Sequence, residues 1–171
     1  MHTPPPVRRA TLEDATELAR LRTVMFDSLG DRDTDTGWHA HAVEALRTRL
    51  AEPEGRFAAF VVDRPGAGPA TDPGTAPKAP STLAACAVGT VELRLPGPNA
   101  PRGLVGHVFN VATDPDFRRR GYSRACMTAL LAWYRQHGVR KIDLFATPEG
   151  EPLYASLGFA RGSAPAMRLE Y

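Results

Sequence analysis

A switch of hydrophobic period between residues 108 and 134 constrains this chain more than any other feature. Val108, Phe109, Val111 and Ala112 form an extended apolar run, and Pro115 with its polar neighbours stops it. Beyond Gly121, the residues Ala125, Met127, Leu130, Leu131 and Tyr134 recur at helical spacing. The stretch therefore reads as a strand, a sharp turn and an amphipathic helix. The turn carries Arg118, Arg119, Arg120 and Gly121.

A helix that begins near Gly121 points its unpaired N–H groups back at that turn. Together with the positive end of the helix dipole and the side chains of Arg118, Arg119, Arg120 and Arg124, these donors make an anion site suited to phosphate or pyrophosphate. Glycine at 121 lets the backbone approach the anion with no Cβ in the way. The competing reading is an arginine-rich surface turn. The order strand, turn, Arg-x-x-Gly, helix favours the anion site.

Composition narrows the guest. A net charge of +2 over 171 residues is too small for a nucleic-acid binder, and the arginines are concentrated locally, as a small anion requires. The two cysteines, Cys86 and Cys126, have neither metal spacing nor a disulfide framework. His2, His39, His41 and His137 show no ligand spacing, and Asp31, Asp33 and Asp35 lack a calcium loop's glycine and closing glutamate, so no metal is expected. Those aspartates read as a polar loop. No segment has the apolar length of a membrane span, and the opening Met-His-Thr-Pro-Pro-Pro lacks a signal-peptide core. A cytoplasmic protein without membrane partners is the expectation.

The whole chain, 1–171, reads as a single domain. Val7 to Ala10 is a short strand, and Thr11 to Asp14 a capping box opening a helix with Leu18, Leu21, Val24 and Met25 inward. A second helix spans Trp38 to Ala51, with Ala42, Val43, Leu46 and Leu50 inward. Strands follow at Arg56 to Asp63, Leu83 to Leu95, with a bulge or bend at Gly89, and Gly103 to Thr113. Between the first two of these, 64–80 is a flexible insertion rich in proline, glycine and alanine. The central helix ends at His137 before Gly138. Lys141 to Ala146 is a strand, Glu149 to Leu157 a short helix, and Phe159 with Ala166 to Glu170 final strand material. This order describes a mixed α/β domain with antiparallel strands first and one crossover helix in the second half.

Two blocks in that order resemble the GNAT superfamily of acetyl-CoA-dependent N-acetyltransferases. Arg118-Arg119-Arg120-Gly121-Tyr122-Ser123 is similar to its Gln/Arg-x-x-Gly-x-Gly/Ala signature, with the small Ser123 departing from the usual last Gly/Ala. Pro152-Leu153-Tyr154-Ala155-Ser156-Leu157-Gly158-Phe159 looks like the family's second block. The resemblance implies a central, mostly antiparallel sheet of six to seven strands, splayed between the fourth and fifth and flanked by about four helices.

It also implies acetyl-CoA as co-substrate, a small-molecule amine as acceptor and a homodimer. The N–H groups of Arg119, Arg120, Gly121, Tyr122, Ser123 and Arg124 would bind its pyrophosphate. The backbone of Val111, Ala112 and Thr113 would pair with the pantetheine arm, and the N–H of Val111 would face the thioester oxygen. Tyr154 resembles the tyrosine that donates to the leaving sulfur. The strand-four glutamate found in some relatives is replaced by Gly106, which leaves Glu92 or His107, through water, as the base. Asn110 either orients the amine or ties the splayed strands. The acceptor is an amino acid, an amine metabolite or an antibiotic. A non-catalytic acyl-CoA-binding module, or an acetyltransferase of protein N-termini or lysines, is the alternative.

Overall fold

In the computed structural model, residues 5–30, 37–52, 55–66, 83–163 and 166–170 are described. The aspartate loop and most of the 64–80 insertion lie outside them. The elements run β1 (Arg8–Arg9), α1 (Ala15–Leu29), α2 (Trp38–Ala51), β2 (Phe57–Asp63), β3 (Leu83–Leu93), β4 (Leu104–Thr113), α3 (Tyr122–Gln136), β5 (Lys141–Leu144) and α4 (Glu151–Ser156). Short 3-10 turns, Leu12–Asp14 and Pro115–Phe117, lead into α1 and out of β4.

The strands form one sheet in the order β1-β2-β3-β4-β5, antiparallel except for the parallel β4–β5 pair. This is the expected mixed architecture, with a smaller strand count. Five strands pair among the described residues, against the six to seven expected. Phe159 and 166–170 form no strand, and Met167 and Leu169 are largely exposed. Alternating hydrophobicity over so short a tail records a tendency that no neighbouring strand completes.

The crossover helix α3 covers one face. It buries Cys126, Met127, Leu130, Leu131, Trp133 and Tyr134 against Ala58, Ala85, Ala87 and Val108 of the sheet. Each large side chain so buried contributes about 1.5–3 kcal/mol. α1 covers the other face through Leu18 and Leu21, which meet Phe57, Val61, Val88 and Ala112. Its start is held by Arg8, whose guanidinium grips both carboxylate oxygens of Asp14 at 2.7 and 2.8 Å. Asp14 in turn accepts the Thr11 N–H at 2.8 Å, as the capping box predicts.

α2 differs from expectation. None of its residues is buried. Leu46 and Leu50 are half-buried beside the α1-side core, while Ala42, Ala45 and Leu46 roof a cavity instead of closing onto the strands.

Two irregularities position the site. The β3–β4 register shifts between Val88, opposite Asn110, and Gly89, opposite Val108, so Phe109 is an extra residue on β4. The sequence marks this bulge at Gly89. In addition, β5 pairs with β4 only from Val105 to Val108. Past that point β4 continues to Thr113 with one edge open, which is the splay expected between the fourth and fifth strands.

Candidate active site

The turn between β4 and α3 is built from backbone. Arg119 has φ 62° and Gly121 φ 78°, so two residues of this short turn are left-handed. A left-handed arginine is strained where glycine is not. Such strain persists where the surroundings enforce it, and it curls successive N–H groups inward as a nest. Gly121 caps α3, and a Cβ built there would meet nothing within 4 Å. From Arg119 to Arg124 no backbone N–H donates to an acceptor among the described residues; the first helical bond of this region is Ala125 N–H to Gly121 O, 3.0 Å.

The arginine side chains face elsewhere. Arg118 reaches the Thr113 carbonyl at 3.4 Å, Arg120 lies 5.2 Å over the Phe117 ring, and Arg124 donates to the Ser156 hydroxyl at 2.8 Å. Phe117 stacks on Tyr122 at 6.0 Å. The hydroxyl of Ser123 meets that of Thr113 at 2.5 Å, joining the end of β4 to the first turn of α3. This bond gives the departure from the signature a structural role.

Beside the nest runs the open edge of β4. The Asp114 N–H donates to Ala84 O at 2.9 Å, toward β3. Strand alternation therefore points the backbone groups of Val111 and Thr113 the opposite way, where β5 has ended. Unpaired donors, open space at Gly121 and a free strand edge together fit a pyrophosphate with an extended amide-bearing arm.

Tyr154 sits on α4, which Arg124 ties to the start of α3 through Ser156. Its ring packs on the α3-side core and meets Phe159 edge-on at 6.0 Å. Its hydroxyl has no hydrogen-bond partner among the described residues. Burial pushes the phenol above its ordinary pKa, so it stays protonated at neutral pH.

On the opposite face of the sheet, under α1 and α2, lies a cavity of about 730 Å³. Its floor is apolar, with Leu18, Phe57, Val88 and Phe109, and β4 supplies His107 and Asn110. Glu92 also lines it, but the carboxylate accepts two bonds from Arg94, at 2.8 and 2.9 Å. Glu92 pairs with Val105 and Thr90 with His107. Glu92 and His107 are thus diagonal neighbours on one face, roughly 7–8 Å apart. The His107 ring lies parallel to Phe109 at 6.2 Å and edge-on to Phe145 at 5.9 Å.

Asn110 is 3% exposed. Its Nδ2 donates to Cys86 Sγ at 3.6 Å, a bond between β4 and β3, while its Oδ1 has no partner among the described residues. Gly106 faces the other way. A Cβ there would stand 2.8 Å from the Tyr134 ring, so an acid at this position would point into the α3-side core.

Three cavity residues escaped the sequence reading: Arg22, Arg49 and Arg56. Arg22 had a legible signal, since it interrupts the inward row Leu18-Arg22-Phe26 at helical spacing. Arg56 directly precedes a strand and carries no such mark. Among the described residues no group of three or more histidine, cysteine or carboxylate side chains could hold a metal, and no helix is long and apolar enough to cross a membrane.

Residues 78–159 match the family model for the acetyltransferase (GNAT) family. A glucosamine 6-phosphate N-acetyltransferase of Trypanosoma brucei brucei is 34% identical over 85 residues, which are 48% of this chain and 56% of that protein. The chain thus spans about half the length of the curated relative it matches. A predicted acetyltransferase of Clostridium acetobutylicum, solved with acetyl-CoA, superimposes with a TM-score of 0.77 at 18% identity, covering 96% of this chain and 95% of the other. A GCN5-related N-acetyltransferase of Ralstonia eutropha gives a TM-score of 0.76 at 24% identity, covering 96% and 97%. These likenesses extend the fold over nearly the whole chain. Over residues 78–159, just under half of its length, the chain is similar to the acetyltransferase (GNAT) family.

Proposed function

We propose that this chain transfers an acetyl group from acetyl-CoA to a primary amine of a small molecule. The observation that carries this reading is the left-handed pair Arg119 and Gly121, which leaves the N–H groups of Arg119 to Arg124 unpaired beside the open edge of β4. The site's two halves reach the same stretch of β4, the nest along its edge and the cavity across its face.

Acetyl-CoA supplies the acetyl group as a thioester. The nest holds its pyrophosphate through backbone donors, with the helix dipole adding to them. Val111 and Thr113 align the arm along the open edge, whereas the Ala112 backbone faces β3, and the Val111 N–H faces the oxygen that gains charge. The amine attacks the thioester carbon, the new C–N bond forms, and the C–S bond breaks. The proton lost from nitrogen passes to a base, and the sulfur departs as a thiolate that accepts a hydrogen bond from the Tyr154 hydroxyl. An ordinary phenol near pKa ~10 facing a thiol near ~8.5 already makes full transfer uphill by roughly 2 kcal/mol, and burial of Tyr154 adds to this, so a strong hydrogen bond to the developing thiolate describes the step.

Of the two candidate bases, His107 is the better placed. Its ring nitrogens have no hydrogen-bond partner among the described residues, whereas Glu92 is held by Arg94. Asn110, whose Nδ2 donates across to Cys86 Sγ, ties β4 to β3 beside it. Purified protein screened with acetyl-CoA against an amine library, with free thiol as the readout, should show amine-dependent release. Acetyl-CoA binding with no release for any amine would make the chain an acyl-CoA-binding module.

A further inference from the structure

The charge of the cavity under α1 and α2 exceeds what acetyl transfer alone requires. Arg22 of α1, Arg49 of α2 and Arg56 ahead of β2 line it, and Glu92 is the one carboxylate among its lining residues. That carboxylate is already neutralised by Arg94. Arg49 has a loose contact with Glu52 at 3.8 Å, between half-exposed side chains. Arg22 and Arg56 pair with no carboxylate among the described residues.

Arg22 is also held in place. Its guanidinium lies 4.8 Å over Phe26, Phe26 meets Trp38 edge-on at 5.7 Å, and Trp38 packs on His39 at 4.9 Å. His39 closes the ring by a 3.0 Å hydrogen bond to Thr23. This clasp between α1 and α2 fixes an arginine at the cavity wall. Burial without a counter-charge lowers its pKa from the ordinary value. A half-buried cation without a partner is compensated when an anion arrives with the ligand, and the guanidinium fork matches carboxylate and phosphate oxygens two at a time.

We infer that the acceptor is a compact primary amine that itself carries an anionic group, a carboxylate or a phosphate, bound by Arg22 and Arg56 with Arg49 beside them. The apolar floor of Leu18, Phe57, Val88 and Phe109 limits the rest of the acceptor to a small, largely uncharged body. His107 and Asn110 lie on the β4 side of the same space, where the amine meets the thioester. This inference rests on the acetyl-transfer reading and adds the substrate class to it.

The test uses amines in matched pairs: amino acids with their amides, and glucosamine 6-phosphate with glucosamine. Thiol release with acetyl-CoA should give at least about a tenfold higher kcat/KM for the charged member, and the pair that shows it separates carboxylate from phosphate. Arg22→Gln and Arg56→Gln should each raise KM for the charged member roughly ten- to a hundredfold and leave the neutral member unchanged, as loss of a charged hydrogen bond implies. Arg22→Lys should retain part of the effect.

Calorimetric binding of the same amines without acetyl-CoA gives a readout independent of turnover. Charged probes that bind in an Arg22-dependent way while no amine releases thiol would overturn acetyl transfer and keep the anion site. Neutral members used or bound as well as their charged twins, arginine variants that affect both alike, or charged probes that neither bind nor turn over would each overturn the inference.

Discussion

The Tyr134 hydroxyl donates to the His107 carbonyl at 2.9 Å, linking the crossover helix to the strand that carries the candidate base. Two glycines make room for it. A Cβ at Gly89 would come 2.0 Å from the hydroxyl oxygen, and one at Gly106 would come 2.8 Å from the ring. Glycine at 89 and glycine in place of the strand-four acid at 106 therefore have one cause, the Tyr134 side chain.

Tyr134→Phe should lower stability by about 1–2 kcal/mol, because the His107 carbonyl loses its donor. Gly89→Ala should lower it by about 1–3 kcal/mol through overpacking. The double variant should cost clearly less than the sum, since removing the hydroxyl removes the clash. Urea denaturation measures all three, and strict additivity would refute the shared cause. Gly106→Glu should unfold the protein more readily and supply no base.

Much of this arrangement was legible from residue pattern. The change of period around Pro115, the Arg-x-x-Gly turn and the block at Tyr154 mark the proposed cofactor half, because backbone geometry there depends on local residues. Gly89 marked its bulge for the same reason. The acceptor half was read poorly, because it depends on how helices sit on the sheet. The apolar stripe of α2 predicted a buried face, yet the helix roofs a cavity. Gly106 was read as a vacant base position, and its direction is set only by strand register.

Arg119 and Gly121 contribute through backbone conformation. Arg119→Gly should keep acetyl-CoA affinity within a few-fold and stabilise the fold by up to about 1 kcal/mol, since the left-handed conformation strains arginine. Gly121→Val should weaken affinity at least about tenfold, and Arg119→Ala should be milder. Titration calorimetry gives the order, and Arg119→Ala weaker-binding than Gly121→Val would contradict it.

Tyr154→Phe should reduce kcat at least about tenfold and leave the Kd for acetyl-CoA nearly unchanged, since the hydroxyl has no structural partner among the described residues. Steady-state kinetics beside equilibrium binding separates the two effects. Unchanged turnover would remove Tyr154 from the mechanism.

Asp14 predicts the response to acid. Burial raises its pKa, but the Arg8 guanidinium and the Thr11 N–H outweigh this and hold it below the ordinary 3.8. A carboxylate depressed in the folded state contributes stability above its unfolded pKa, and that contribution is lost as pH falls through the folded value. Asp14→Asn should therefore cost about 1–3 kcal/mol near neutral pH. The gap between variant and parent should close below about pH 4. A gap that persists in acid would show that the pair contributes through packing alone.

The most direct measurement of the central claim is an amide NMR titration of labelled protein with acetyl-CoA. The N–H resonances of Arg119 to Arg124 should shift together with those of Val111 and Thr113, saturating at one affinity. Saturable binding that leaves these amides unmoved, with the shifts elsewhere on the sheet, would contradict the assignment of the nest and the open β4 edge as the acetyl-CoA site.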